Sequence, residues 1–468
     1  MSSYRRVLRH PDFRYLFLGQ AASAVGDQVV IVALALFITR KTGSASDLGL
    51  VLAAQALPMV TLMLLGGVWA DRLPRQWIML ATDAARAALH LAVAILIFTG
   101  AITILELVLI EAAFGACRAF FQPAYTGLVP QTVPESLILD ATALTQSTYN
   151  LAVLIGPALS TALVLGVGAG EAFLFDALTF VISAALLVRV RGRVRGGQLP
   201  APASPSMISE LRTGWRETVS RPWVWVTIAA FTGMVLVLYT QWYALAPIVS
   251  RNLYGSAGIF GVLESVAGGG AVLGALVAIR WRPRRPMYVG LLLVLPWPAM
   301  ATAFALHAPL AVVIAVALAM GFGFALFGIW WETSLARYIP PHALSRVSSY
   351  DWVGSLALLP FGFALAGPLA SAIGARTVLL VGSAITVVLV AVALLPRSTR
   401  MLRTEQLENQ VAVEGGGVAE VAHIDPLVRV VHERRLVEQP HVPVREEAVG
   451  DALGERLSKP ARVGEPRE

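Results

Sequence analysis

An apolar run of bilayer-crossing length, on the order of twenty residues, returns again and again along this chain of 468 residues. The runs are 13–38, 47–70, 77–99, 101–122, 140–165 and 171–189, then 222–248, 257–280, 287–306, 309–331, 345–370 and 374–395. A backbone in hydrocarbon has no water to satisfy its N–H and C=O groups, and an open sheet leaves an edge unpaired, so these runs must be helices. Composition agrees: 57% of the residues are hydrophobic and 14% charged, against about 25% charged in ordinary soluble domains. The expected fold class is an all-α integral membrane protein with twelve transmembrane helices.

Charge placement gives the expected orientation. The net charge is +7, but the arginines fall in short loops between apolar runs, which is membrane topology and not a nucleic-acid surface. If the N-terminus is cytoplasmic, that side holds Arg5, Arg6, Arg9 and Arg14, Arg72 and Arg75, the series from Arg189 to Arg221, Arg280 to Arg285, Arg337, Arg346, Arg397 and Arg400. The other side keeps Arg40, Lys41, Arg251 and Arg376. Both termini are therefore expected in the cytoplasm, with the chain in a bacterial cytoplasmic (inner) membrane. The first apolar run extends too far for a cleavable signal peptide. A single cysteine, Cys117, rules out internal disulfides and cysteine-based metal cages.

The domain expectation follows from one long internal linker, 190–221, Gly/Pro/Ser-rich at its start and amphipathic over 206–220. It separates a cytoplasmic N-terminus (1–12) and an N-terminal six-helix half (13–189) from a C-terminal half (222–396), with a mostly disordered cytoplasmic tail over 397–468. The halves repeat. Pro134-Glu135-Ser136-Leu137 leads to Gly156-Pro157, and Pro341-His342-Ala343-Leu344 leads to Gly367-Pro368. Parallel repeats of this kind imply a two-half transporter with its substrate site between the halves near mid-membrane.

The loop after the second run reads Gly66-Gly67-Val68-Trp69-Ala70-Asp71-Arg72-Leu73-Pro74-Arg75-Gln76. Its glycines permit close helix approach, Asp71 can accept charge-assisted hydrogen bonds, and Arg72 and Arg75 can pair with carboxylates or lipid phosphates. Gly67-x-x-x-Asp71-Arg72-x-x-Arg75 resembles the loop signature of the major facilitator superfamily, and Gly156-Pro157 resembles its antiporter motif. The stretches HPDFRYLFLGQAASAVGDQ, Ala56-Leu57-Pro58 and FFQPAYTGLVPQTVPESL look like the branch of enterobactin exporters and macrolide efflux proteins. The resemblance implies a secondary active exporter of drug-like or siderophore-like small molecules, working by alternating access, with the loop as a conformational latch. The sequence departs from the pattern at Pro74, Gln76, Ser160 and Thr161, and the equivalent second-half loop has no Asp.

Charged groups inside a span are costly, and each is a functional candidate. Asp27, with Gln20 and Ser23 on the same helix face, and Glu111 are the candidate proton-coupling acids, Arg118 being a charge partner for Glu111. Asp83 and Arg86 are expected to pair structurally; Asp176, Glu264 and Asp351 read as helix-end groups. Gln146, Asn150, Tyr239 and Trp242 are candidate cavity residues, while Trp330 and Trp331 read as an interfacial belt. The chain carries no phosphate loop, zinc pair or Asp-rich metal cluster, so neither an enzyme nor a metal or other cofactor is expected and the proton gradient is the implied energy source. The expected partners are a small-molecule substrate, protons and the lipid bilayer, without nucleic acid, and the chain is expected to be a monomer. The alternative is an uptake facilitator of the same fold for a sugar or organic anion, which would favour mid-span arginines and amides over acids.

Overall fold

The structure is a computed structural model, and it describes residues 2–190 and 207–402. Twelve long helices dominate. In the first half they are α1 (Pro11–Lys41), α2 (Ala45–Arg72), α3 (Arg75–Phe98), α4 (Ile104–Leu128), α5 (Ile138–Gly166) and α6 (Ala169–Leu187). In the second they are α7 (Pro222–Tyr254), α8 (Gly258–Ala278), α9 (Pro286–Ala305), α10 (Leu310–Tyr338), α11 (Pro341–Ile373) and α12 (Ala375–Ala393). Eleven are long and apolar enough to cross a membrane by length and composition. The twelfth is α4, whose 25 residues span about 37 Å at 1.5 Å per residue and carry Glu106, Glu111 and Arg118 along their length. There is no strand among the described residues.

Three second-half helices are interrupted where the sequence removes a backbone donor or widens the turn. α9 loosens before Pro296 and α11 pauses at Leu358, before Pro360, since proline cannot donate to the preceding turn. α7 passes through a π-helical stretch over Val235–Tyr239, and the Gln241 amide donates to the carbonyls of Leu236 (3.4 Å) and Gly362 (2.9 Å). Between the halves, Met207–Val219 forms the amphipathic helix expected there.

The two ends of the bundle are built differently. The six connections at the arginine-poor end each contain a residue with positive φ: Gly43, Gly100, Gly168, Gly255, His307 and Gly374. Left-handed backbone is how a helix stops within one residue and reverses. The same device thus recurs three times in each half.

Packing across the halves also favours that end. The Arg251 guanidinium of α7 donates to the Thr39 carbonyl of α1 at 2.6 Å. On α2, Gly49 faces the Phe363 carbonyl of α11, and Ser46 fills the space beside Gly367. α5 lies on α8 through Leu165 at Gly258 and Leu154 at Gly268. Small residues at these crossings let the backbones approach closely. Toward the arginine-rich end, Gln146, Tyr149, Asn150 and Leu151 of α5 are exposed, as are Trp352 and Val353 of α11. The bundle is therefore closed at the arginine-poor end and loosens toward the other.

Candidate transport site and a buried charge network

Four of the first-half helices bring ionisable side chains to one place. From α3, Asp83, Arg86 and His90 sit on successive turns and point inward, all at most 1% exposed. Arg86 binds the Asp83 carboxylate, and Ser183 of α6 donates to the other oxygen of Asp83 at 2.6 Å. Gln20 of α1 in turn donates to Ser183 at 2.9 Å. The other terminal nitrogen of the guanidinium faces Asp27 of α1, 3.8 Å away. Phe121 and Phe180 lie 4.1 and 4.3 Å from the guanidinium carbon, so the cation is enclosed by aromatic faces as well as carboxylates.

One turn further, His90 joins two more acids. Its Nδ1 is hydrogen-bonded to Asp176 of α6, and its Nε2 faces Glu111 Oε1 of α4 across 3.7 Å. The ring stacks on Phe114 at 4.1 Å between centroids. Gln55 of α2 donates to the far oxygen of Glu111 at 2.7 Å. Glu111, Asp176 and His90 are fully buried. Gly26 makes room for this on α1, because a Cβ there would run into the Asp176 carboxylate and the Thr179 hydroxyl.

A narrow pocket of about 20 Å³ borders these groups. It is lined by Asp27, Val30, Ile31 and Leu34 of α1, Leu52 and Gln55 of α2, and Phe114 and Arg118 of α4. Two of its polar walls lead inward: Asp27 to Arg86, and Gln55 to Glu111. The arrangement is an apolar slot whose polar edges are wired to buried titratable groups, which suits binding that is linked to protonation.

The structure gives Glu111 the partners Gln55 and His90, while Arg118 lines the pocket two turns away. Gln146 donates to Asn150 at 3.1 Å on the exposed face of α5. In α7, Tyr239 is 38% exposed, but Trp242 is buried, donating to Glu264 at 2.8 Å and packing on Phe304. Glu264 also accepts from Tyr243 at 2.8 Å. Trp330 and Trp331 are buried instead of forming a belt, and Trp331 donates to Asp351 at 2.9 Å. Asp176 is not a helix-end group, since burial and the bond to His90 place it in the core. Gly156 packs on Gln28 of α1, and the Pro157 carbonyl accepts from Thr161 at 2.8 Å.

The loop between α2 and α3 closes on its own half. Arg72 ends α2 and Pro74 caps α3, where its fixed φ suits the helix entry. Arg75 donates to the Gly127 carbonyl at 2.7 Å, and Gln76 to the Leu187 carbonyl at 2.7 Å, satisfying carbonyls at the ends of α4 and α6. Gly66 lies against the Ala119 backbone, whereas Gly67 faces open space. The side chain of Asp71 lies outside the described residues.

His90 is the functional candidate that sequence reasoning passed over. It stands in an apolar run with no nearby histidine, and its acids come from α4 and α6. The signal in the sequence was the spacing Asp83, Arg86, His90, which puts three charged groups on one helix face.

Twelve long helices in two six-helix halves, eleven of them apolar enough to cross a membrane, are the architecture of a secondary transporter of the major facilitator type. A family described as transmembrane secretion effector matches residues 2–287. The chain belongs to that family and is an efflux-type member of the superfamily. It is 29% identical over 275 residues to a candidate bacilysin exporter, BacE, of Bacillus subtilis, covering 58% of this chain and 67% of that protein. It is 26% identical over 388 residues to the multidrug efflux pump Tap of Mycobacterium bovis, covering 79% and 89%. The fold is similar to that of a bacterial homolog of the human lysosomal transporter Spinster, inward-facing and unoccupied. The TM-score there is 0.63 at 17% identity, covering 84% of this chain and 98% of the other.

Proposed function

We propose that the chain exports drug-like or siderophore-like compounds from the cytoplasm, driven by inward movement of protons and needing no other cofactor. The observation that carries this is the pocket with Asp27 and Gln55 in its wall, each bonded or paired to a buried charge. A carboxyl that faces a buried guanidinium at the edge of an apolar slot is a group through which occupancy and charge can be linked. Names such as macrolide efflux protein A of Streptococcus pyogenes and multidrug efflux pump Tap favour amphipathic organic molecules as cargo.

In this reading the arginine-rich end is cytoplasmic, in a bacterial inner membrane, with both termini on that side. The halves 13–189 and 222–396 rock about the site as single bodies in a monomer, without nucleic acid. The looseness at the arginine-rich end then corresponds to an inward-open state. Asp71, Arg72 and Arg75, with Gly67, form a latch between states, and Gly156-Pro157 lets α5 bend. Asp71→Asn is expected to lower turnover with little change in substrate affinity.

The test is transport of ethidium and of erythromycin into inverted vesicles with and without an acid-inside gradient. Accumulation that needs the gradient, and is lost in Asp27→Asn, supports the reading. Accumulation indifferent to both contradicts it.

A further inference from the structure

We infer that His90, held between Asp176 and Glu111, is the residue that carries the coupling proton, and that Gln55 connects it to the pocket. The inference rests on the proton-driven reading above and names the carrier within it.

The argument starts from charge. Asp27, Asp83, Glu111 and Asp176 surround Arg86 and His90, and every side chain except Asp27 is at most 1% exposed. Four carboxylates and one guanidinium leave an excess of negative charge in the membrane interior, where unpaired charge is costly. Protons are the only counter-charge the cluster itself can take up, and the imidazole is the group placed to hold one between two acids.

Geometry narrows the choice. His90 Nδ1 is already engaged with Asp176, which fixes the ring. Its Nε2 and Glu111 Oε1 are both buried without a hydrogen-bond partner, and they face each other at 3.7 Å. A small approach of α3 and α4 makes that bond. The proton then passes from His90 to Glu111: the N–H bond at Nε2 breaks, the O–H bond at Oε1 forms, and the imidazole is left neutral with Nδ1 still donating to Asp176. Gln55 holds the other oxygen of Glu111 at 2.7 Å and also lines the pocket. A substrate that draws the Gln55 amide away removes a donor that favours the Glu111 carboxylate, and so favours the transfer.

The groups around His90 are all accounted for in this scheme. α1 presents Asp27, α3 presents Asp83 and Arg86 beside His90, α4 presents Glu111 and Arg118, and α6 presents Asp176. α2 contributes the uncharged Gln55. Arg86 is committed to Asp83 and Asp27, and a guanidinium does not lose its proton in a protein. His90 is therefore the one cation here able to give a proton up.

The experiment reads conformation against pH, which needs no known substrate. Fluorophores on Ser136→Cys and Arg282→Cys, in a Cys117→Ser background, report the separation of the halves at the arginine-rich end in reconstituted full-length protein. The wild type is expected to shift between closed and open populations as pH is raised from acid to alkaline. His90→Asn is expected to lose that shift, and Glu106→Gln, altered at the exposed N-terminal cap of α4, to keep it. Asp176→Asn, which loses the shift on the same argument, serves where His90→Asn melts far below the wild type. An unchanged shift in His90→Asn or in its stand-in, or no shift in the wild type, overturns the inference. Vesicle transport separates the two readings: failure of gradient dependence with a His90-dependent shift sinks the proton drive and the coupling role with it, leaving His90 only as the group that makes conformation pH-dependent. Gradient-driven transport with a His90-independent shift sinks the carrier assignment alone.

Discussion

The two halves have the same topology and opposite interiors. The first half buries two adjacent charge clusters one helical turn apart, Arg86 with Asp83 and His90 with Asp176 and Glu111. The second half has Glu264 on α8 and Asp351 on α11, each accepting from a tryptophan indole N–H. One half is thus organised by ion pairs among helices, the other by aromatic packing around single acids. A repeated fold has let one copy specialise in holding charge while the other keeps a largely apolar core, for example Trp242 with Phe260 and Phe304.

This contrast can be strained in several places. The largest effect is expected at Arg86. Replacing it by Leu leaves the buried Asp83 without its cation beside the half-buried Asp27, which should cost about 3–5 kcal/mol and show as a large drop in melting temperature in detergent. The corresponding change in the second half, Trp331→Phe, removes one hydrogen bond to Asp351 and should cost about 1–3 kcal/mol. Equal losses would mean that the first half's network is no more than a set of independent pairs.

A packing change comes next. A side chain at Gly115 meets the backbone carbonyl of Gln55 where α2 and α4 touch, so Gly115→Leu should destabilise by about 1–3 kcal/mol. Gly67 has open space around it, and Gly67→Ala should stay within about 0.5 kcal/mol. Gln76→Ala, which loses one bond to the Leu187 carbonyl, falls between these two at about 1 kcal/mol. Thermal unfolding monitored by tryptophan fluorescence would rank all of these.

The sequence showed much of the architecture because hydrocarbon imposes it: span lengths, helix type and arginine placement are local properties. Pro74 and Gln76, which departed from the loop signature, make sense once α3 is seen to begin at Arg75 and the end of α6 to lie beside it. Long-range partners were beyond reach. Asp176 looked like a helix-end group because it falls within the first two turns or so of its span, and its partner His90 is 86 positions away. Glu111 and Arg118 share a helix face, but a carboxylate seven residues off was closer in space to Gln55 and His90 from other helices. Trp242 was expected in a cavity wall, but it lies in the core, covered by Phe260 and Phe304 from α8 and α9.

The division of labour between the halves is tested most directly by comparing Asp176→Asn with Glu264→Gln in inverted vesicles, each measured for gradient-driven accumulation and for gradient-free substrate exchange. Asp176→Asn is expected to retain exchange and lose accumulation, and Glu264→Gln to retain both. Loss of gradient drive in Glu264→Gln with full drive in Asp176→Asn would put the coupling in the other half and contradict the account.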